Sequence, residues 1–150
     1  MATDRSYVAQ NNAQRQRLRT LVGRLSDDDL RCSLDAGWTV ASVLGHLAFW
    51  DQRVLVLLEA WERGTAPRAF DRRDVDWIND SAKALCLALP PRAAAQLVLA
   101  TAEAVDRKLE GLTDDRLAAN TAAGTPINVL RAEHRREHLD QIERALGASR

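Results

Sequence analysis

The sequence is short of the features that would assign it to a special class. Its 150 residues include two cysteines, Cys32 and Cys86, too few for a disulfide framework, so each reads as a small buried hydrophobe. Neither sign of charge dominates: 21 Lys plus Arg meet 21 Asp plus Glu. With no basic excess to gather phosphates, nucleic acid is not an expected partner. The longer apolar runs, such as Leu85 to Pro90 and Leu97 to Ala102, fall far short of the roughly 18 residues that span a bilayer. The beginning, with Asp4, Arg5 and then Gln10, Asn11 and Asn12, lacks the apolar block of a signal peptide. Together these absences predict a soluble, cytoplasmic protein with no membrane partner. Gly-rich phosphate loops, a GxSxG elbow, a CxxC pair, linkers and internal repeats are missing as well.

What is present is apolar matter in a helical rhythm. Hydrophobic residues make up 46% and charged residues 28%, and a chain of this length hides about 70% of its unfolded surface, so residues 1–150 read as a single domain. Apolar residues recur at three and four and do not alternate. A first helix is expected from about Asp4 to Leu25, with Tyr7, Ala13 or Gln14, Leu18, Leu21, Val22 and Leu25 inside. The second starts at the N-cap Thr39, collects Val40, Val43, Leu44, Leu47, Trp50, Val54, Leu58 and Trp61, and stops at Gly64 and Pro67. A middle segment from about Arg73 to Leu89 meets Pro90-Pro91, after which a third long helix runs to about Leu109. Proline fits a helix's first turn as well as a break, so one kinked helix and two helices both remain open. Thr125 as N-cap and Pro126 at the first position predict a last helix whose face holds Ile127, Leu130, His134, His138, Ile142 and Ala145. The expected fold is all-α, an up-and-down four-helix bundle with short extra helical segments.

The chain has three histidines. At about 100° per residue, His134 and His138 lie about 40° apart and point into the bundle. Their i,i+4 spacing stacks two imidazoles one turn apart, a separation at which both can bind one metal. His46 lies on the shoulder of the second helix's apolar arc, facing a neighbouring helix. Three neutral imidazoles from two helices would hold a divalent metal and leave it an open position, the pattern of catalytic sites. The competing reading is a set of core histidines bonded to one another or to backbone.

Two segments resemble a known family. Gly37-Trp38-Thr39-Val40 through Leu44-Gly45-His46-Leu47 to Trp50-Asp51 is similar to the "WTV, LxHL, W" signature of DinB-like (DinB/YfiT-like) four-helix proteins, versions of which occur in the colibactin-protection and mycothiol-dependent isomerase groups. His134 to Ile142 resembles that superfamily's final "HxxxHxxQI" helix. The resemblance implies that His46, His134 and His138 form a metal triad, commonly in homodimers, with zinc, nickel, iron or manganese as the ion; three imidazoles discriminate poorly among these. It also implies a low-molecular-weight thiol such as mycothiol or bacillithiol as a possible cosubstrate. The isomerases of that group usually carry a further C-terminal domain that these 150 residues do not include, so a maleylpyruvate isomerase is not expected.

Other residues are weighed against plainer roles. Trp50, one turn after His46, walls the metal pocket or packs the core. Asn79 and Asp80 supply a polar group to the site mouth or sit on a helix surface. Arg131 forks onto a substrate carboxylate or stands at a solvated edge. Cys32 is a thiolate near the metal or an inert thiol. Arg136 with Asp140, and Asp140 with Arg144, are exposed i,i+4 pairs, and Arg15 and Arg17 lie on solvated faces. The favoured reading is a metal-dependent thiol S-transferase, or second a hydrolase, acting on a small molecule. The other is a non-catalytic dimeric bundle, a binding or stress-response module with a structural metal or none. No general acid or base is identifiable.

Overall fold

The computed structural model describes residues 2–148. Among these residues seven α-helices form: α1 (Ser6–Arg24), α2 (Asp27–Arg31), α3 (Val40–Glu62), α4 (Val75–Ala88), α5 (Pro91–Glu110), α6 (Asp114–Ala122) and α7 (Ala132–Ala148). Among the described residues the only β pairing is an isolated bridge between Ser33 and Thr39. The molecule is an all-α bundle. The middle region is two helices, because Leu89 and Pro90 are both extended and Pro91 opens α5 at its first position.

Cross-links between side chains fix the directions. Tyr7 bonds to Leu109 and Arg92 to Leu25, so α1 and α5 run antiparallel. Asn11 reaches Val129, and Arg17 reaches Asp140 and Glu143, so α1 and α7 run parallel. The Asp51 and His46 bonds to Arg131 and His134 set α3 antiparallel to α7. Packing then follows the ring α1, α5, α3, α7, with α4 laid on the outside of α3. By length and composition α3 is apolar enough to cross a membrane, but 61% of that stretch is buried inside the bundle. It is the central helix, and its start is locally determined: Thr39 and Ser42 cap each other's backbone N–H reciprocally.

The core has two apolar clusters. One gathers Leu18, Leu21, Leu44, Leu47, Val98, Leu139 and Ile142; the other gathers Tyr7, Val54, Leu58, Val105, Leu109 and Ile127. Between them along the helices lies a belt of buried polar side chains, Asn11, Asp51, Asp106, Arg131 and Arg135.

Three expectations change. The inner position of α1 between Tyr7 and Leu18 is Asn11, which is buried, whereas Ala13 is exposed and Gln14 half-buried. The last helix begins at Ala132, not at Thr125. Thr125 has φ +56°, a left-handed conformation that an N-cap does not adopt. The segment is held instead by the buried amide of Asn120, which donates to Ile127 O (2.8 Å) and accepts from Ile127 N (3.0 Å). The α7 start is supplied from another helix, since Asn11 Oδ1 accepts the Ala132 N–H at 2.9 Å. Lastly, the buried stripe of α7 is Arg135, Leu139, Ile142 and Leu146, so His134 and His138 sit on its flank.

Candidate metal centre

That rotation of α7 turns its two histidines toward α3 and a cleft of about 1120 Å³. His46 is buried, and His134 and His138 are half-buried. The three rings meet edge to face, with centroids 4.8–5.0 Å apart. One nitrogen from each lies within 4.8 Å of the others. His46 Nε2 and His134 Nε2 stand 3.0 Å apart.

Their electrostatics favour lone pairs over protons. Burial, and then the neighbouring His138, holds His46 down to about 4. Burial also dominates at His134, with His138, His46, Arg131 and Arg135 adding to it, and takes that imidazole to about 2. Both are therefore neutral near pH 7. The outer nitrogen of His138 is occupied: Nδ1 lies 2.9 Å from Gln141 Oε1. A carbonyl oxygen only accepts, so Nδ1 is the donor there, and in the neutral ring that leaves Nε2 with the lone pair. This is how a ligating histidine is commonly oriented.

The donor set fits a divalent transition ion. Imidazole nitrogens are the ligand type such ions take, and one from each ring would be available to a single ion within the 4.8 Å convergence. His46 Nδ1 is buried and has no hydrogen-bond partner among the described residues. Ligation through Nε2, the atom that faces the cluster, would leave the buried Nδ1–H of His46 without an acceptor, a cost that the bound ion would have to offset.

The other candidates have definite places. Trp50 is half-buried and lines the cleft, donating from Nε1 to Asn79 Oδ1 at 2.9 Å. Asn79 thus fixes the tryptophan, and Asp80 is exposed at the rim. Trp38 also lines the cleft, edge-on to His46 at 5.6 Å. Arg131 is not at a solvated edge: it is buried, with Nε 2.9 Å from Asp51 Oδ1. Cys32 is half-buried where α2 leads into α3, packed against the upper core. Cys86 is buried, its thiol pushed up by desolvation, and it packs closely on Gly45. Asp140 pairs with Arg17 across to α1, and Arg15 pairs with Asp106, so both arginines tie helices together.

Three contributors escape a reading of the sequence by residue type. Gln141 is one, although its place three after His138 puts it on the same helix face. Asp51 and Arg135 are the others. Arg135 is 1% exposed and bridges Asp106 (2.8 Å to each oxygen) and Asp51 (3.1 Å). Burial opposes its charge, but the two carboxylates outweigh that and leave the guanidinium more firmly protonated than usual. The signal was there: Asp51 falls on the apolar arc of α3 between Leu47 and Val54, where an unpaired charge is very costly.

A family model described as the DinB superfamily matches residues 10–142. No curated protein matches the chain, and no solved structure does. The matched span runs from α1 almost to the end of α7 and takes in all three histidines, and on it the chain belongs to the DinB superfamily.

Proposed function

We propose that the protein is a metal-dependent enzyme acting on a small molecule, in the first place a thiol S-transferase and in the second a hydrolase. The observation that carries this reading is the convergence of three imidazole nitrogens within 4.8 Å at the wall of an open cleft. His46 Nε2 and the facing nitrogens of His134 and His138 are the atoms that hold the ion. A divalent cation so held supplies Lewis acidity, lowering the pKa of a thiol or of water. Gln141 keeps His138 in the ligating tautomer, and burial keeps His46 and His134 unprotonated. Trp38 and Trp50 wall the site and exclude water from one side of a bound substrate.

Zinc, nickel and iron suit imidazole ligands, and manganese, which favours oxygen, is the least suited of the four proposed ions; mycothiol or bacillithiol is the proposed cosubstrate. The first test is metal analysis of chain purified without a histidine tag. Close to one equivalent is expected, and less than about a tenth of an equivalent of every transition metal overturns the reading. Turnover of electrophiles with mycothiol, bacillithiol or glutathione is then expected to vanish in His138→Ala, and equal turnover in that variant removes the triad from catalysis.

A second reading, a non-catalytic bundle, draws on the Nε2 contact between His46 and His134, which one shared proton satisfies without an ion. Either way we propose a homodimer. Trp77 and Leu85 of α4 are 58% and 74% exposed, an apolar surface suited to a second copy, and light scattering at twice the 16.7 kDa chain mass is the expected result.

A further inference from the structure

Arg53 is a cation that the fold places in the cleft without an anion. It is half-buried, and its guanidinium carbon lies 4.3 Å from the centroid of Phe70 and 5.8 Å from that of Trp50. Among the described residues it has no carboxylate within ion-pairing distance and no hydrogen-bond acceptor, whereas the buried Arg131 and Arg135 are bound to Asp51 and Asp106; Arg72 also lines the cleft but is exposed. Arg116 is also half-buried and lies over Trp61, but it does not line the cleft. The acids on the cleft rim, Asp76, Asp80, Glu133 and Glu137, are all exposed. Burial, and then the charge of Arg131, makes protonated Arg53 less favourable than an ordinary arginine.

A partly desolvated guanidinium without a counterion is costly, and an arriving anion would offset that cost. The aromatic rings cover a face of the group and leave its N–H edge as the direction for an acceptor. His46, Trp50 and Arg53 follow one another at i, i+4 and i+7 on α3. Two helical turns put about 10 Å between the first and the last along the axis.

We propose that Arg53 is the anion-recognising residue of the cleft, and that the substrate is an organic carboxylate whose reactive end lies at the histidines and whose carboxylate lies about two helical turns away on Arg53. This substrate class rests on the reading of the histidines as the reactive end, but the anion site itself does not. A carboxylate is favoured over a doubly charged phosphate because Arg53 offers a single half-buried positive charge beside an aromatic wall, and Arg72, the further cation on the cleft without an ion pair among the described residues, is exposed to solvent.

The test has two arms. In metal-free chain, the Arg53 Nε resonance is followed during titration with 4-phenylbutyrate and with 4-phenylbutanol. The acid is expected to shift it saturably and the alcohol is not; no shift with the acid, or the same shift with both, overturns the proposal. Inorganic phosphate displacing the acid at lower concentration overturns the carboxylate class. In zinc-loaded chain, calorimetry compares 8-mercaptooctanoate with 8-mercaptooctanol. The acid is expected to bind at least about tenfold more tightly, a preference that Arg53→Gln abolishes and Arg53→Lys reduces, with zinc stoichiometry unchanged in both. A preference that survives Arg53→Gln overturns the proposal. A chain that takes up no zinc yet shows the carboxylate shift overturns the metal reading alone and leaves the anion site standing.

Discussion

A histidine whose pKa is lower in the folded chain than in the unfolded one binds protons better after unfolding. His46 at about 4 and His134 at about 2, against an ordinary 6.5, are two such residues. The sign follows directly: above about pH 6.5 both states are neutral and their contribution is fully present, and below it the unfolded chain takes up protons that the folded one refuses. Urea unfolding of metal-free protein is therefore expected to show stability falling as pH drops from 6.5 to 4, by up to about 1.4 kcal/mol per pH unit for each residue. His46→Gln should flatten the slope, and a stability that rises on acidification would contradict the burial of these imidazoles. Gln141 leads to a second expectation. If its carbonyl holds the His138 tautomer, Gln141→Leu weakens metal affinity by about 10- to 100-fold, measured by competition with a chelator, while the helix content stays unchanged. The histidines themselves were legible in the sequence, because three of them in a chain of 150 residues stand out and their spacing on helices is simple geometry. Arg135 was not, because a lone Arg on a helix is ordinarily solvated and only the neighbouring helices reveal its partners; Gln141 and Asp51 left a trace, the one by its spacing from His138 and the other by its place on the apolar arc of α3, but not the identity of the bond each makes.

At the scale of the helix the same contrast appears between α3 and α7. The α3 start is written in adjacent residues, since Thr39 and Ser42 close a capping box and Gly64, with φ +100°, ends the run in a conformation glycine adopts freely. The α7 start depends on a residue 121 positions away, Asn11, whose amide accepts from Ala132 N and donates to Val129 O. Thr125-Pro126 resembles a cap in composition, but the local chain turns through a left-handed residue and is tied to Asn120 seven residues before Ile127, a side-chain bond to backbone that residue type does not announce. Asn11→Ala would leave the buried Ala132 N–H without an acceptor and take one of two donors from Val129 O. A loss of about 1–3 kcal/mol is expected in urea unfolding, with fraying concentrated in the first turn of α7, where His134 lies; hydrogen exchange of residues 132–136 reads that directly. A loss confined to global stability with unchanged exchange there would mean that the cap does not position the histidine.

Taken whole, the bundle is two apolar clusters separated by a charged belt, with the histidine cleft opening beside that belt. Every helix of the ring contributes to it: α1 through Asn11, α3 through Asp51, α5 through Asp106 and α7 through Arg135. The all-helical fold was readable from periodicity, but the belt was not, since its members carry the residue types that a sequence assigns to the surface. Packing round the ring is uneven. α3 lies along α5 more extensively than along α7, and the cleft opens where α3 and α7 meet, so their shared level is held by the Asp51 pairs and by the histidines. An ion bound by His46 from one side and by His134 and His138 from the other would join this seam. Because the unfolded chain has no such convergence of imidazoles, binding free energy becomes folding free energy. At a free ion concentration about 100-fold above its dissociation constant the gain is about 2.7 kcal/mol. For a chain of this size that corresponds to a rise of roughly 5–10 °C in Tm. Calorimetry of metal-free chain titrated separately with zinc, nickel, iron(II) and manganese is expected to show that rise for at least one ion, and His134→Ala to remove it. Exchange protection is expected to increase in α7 and in the first half of α3 and to stay level in α5, because the ion touches only the former pair. A uniform increase, or a Tm that none of the four ions moves, would mean that the three imidazoles hold each other and not a cation.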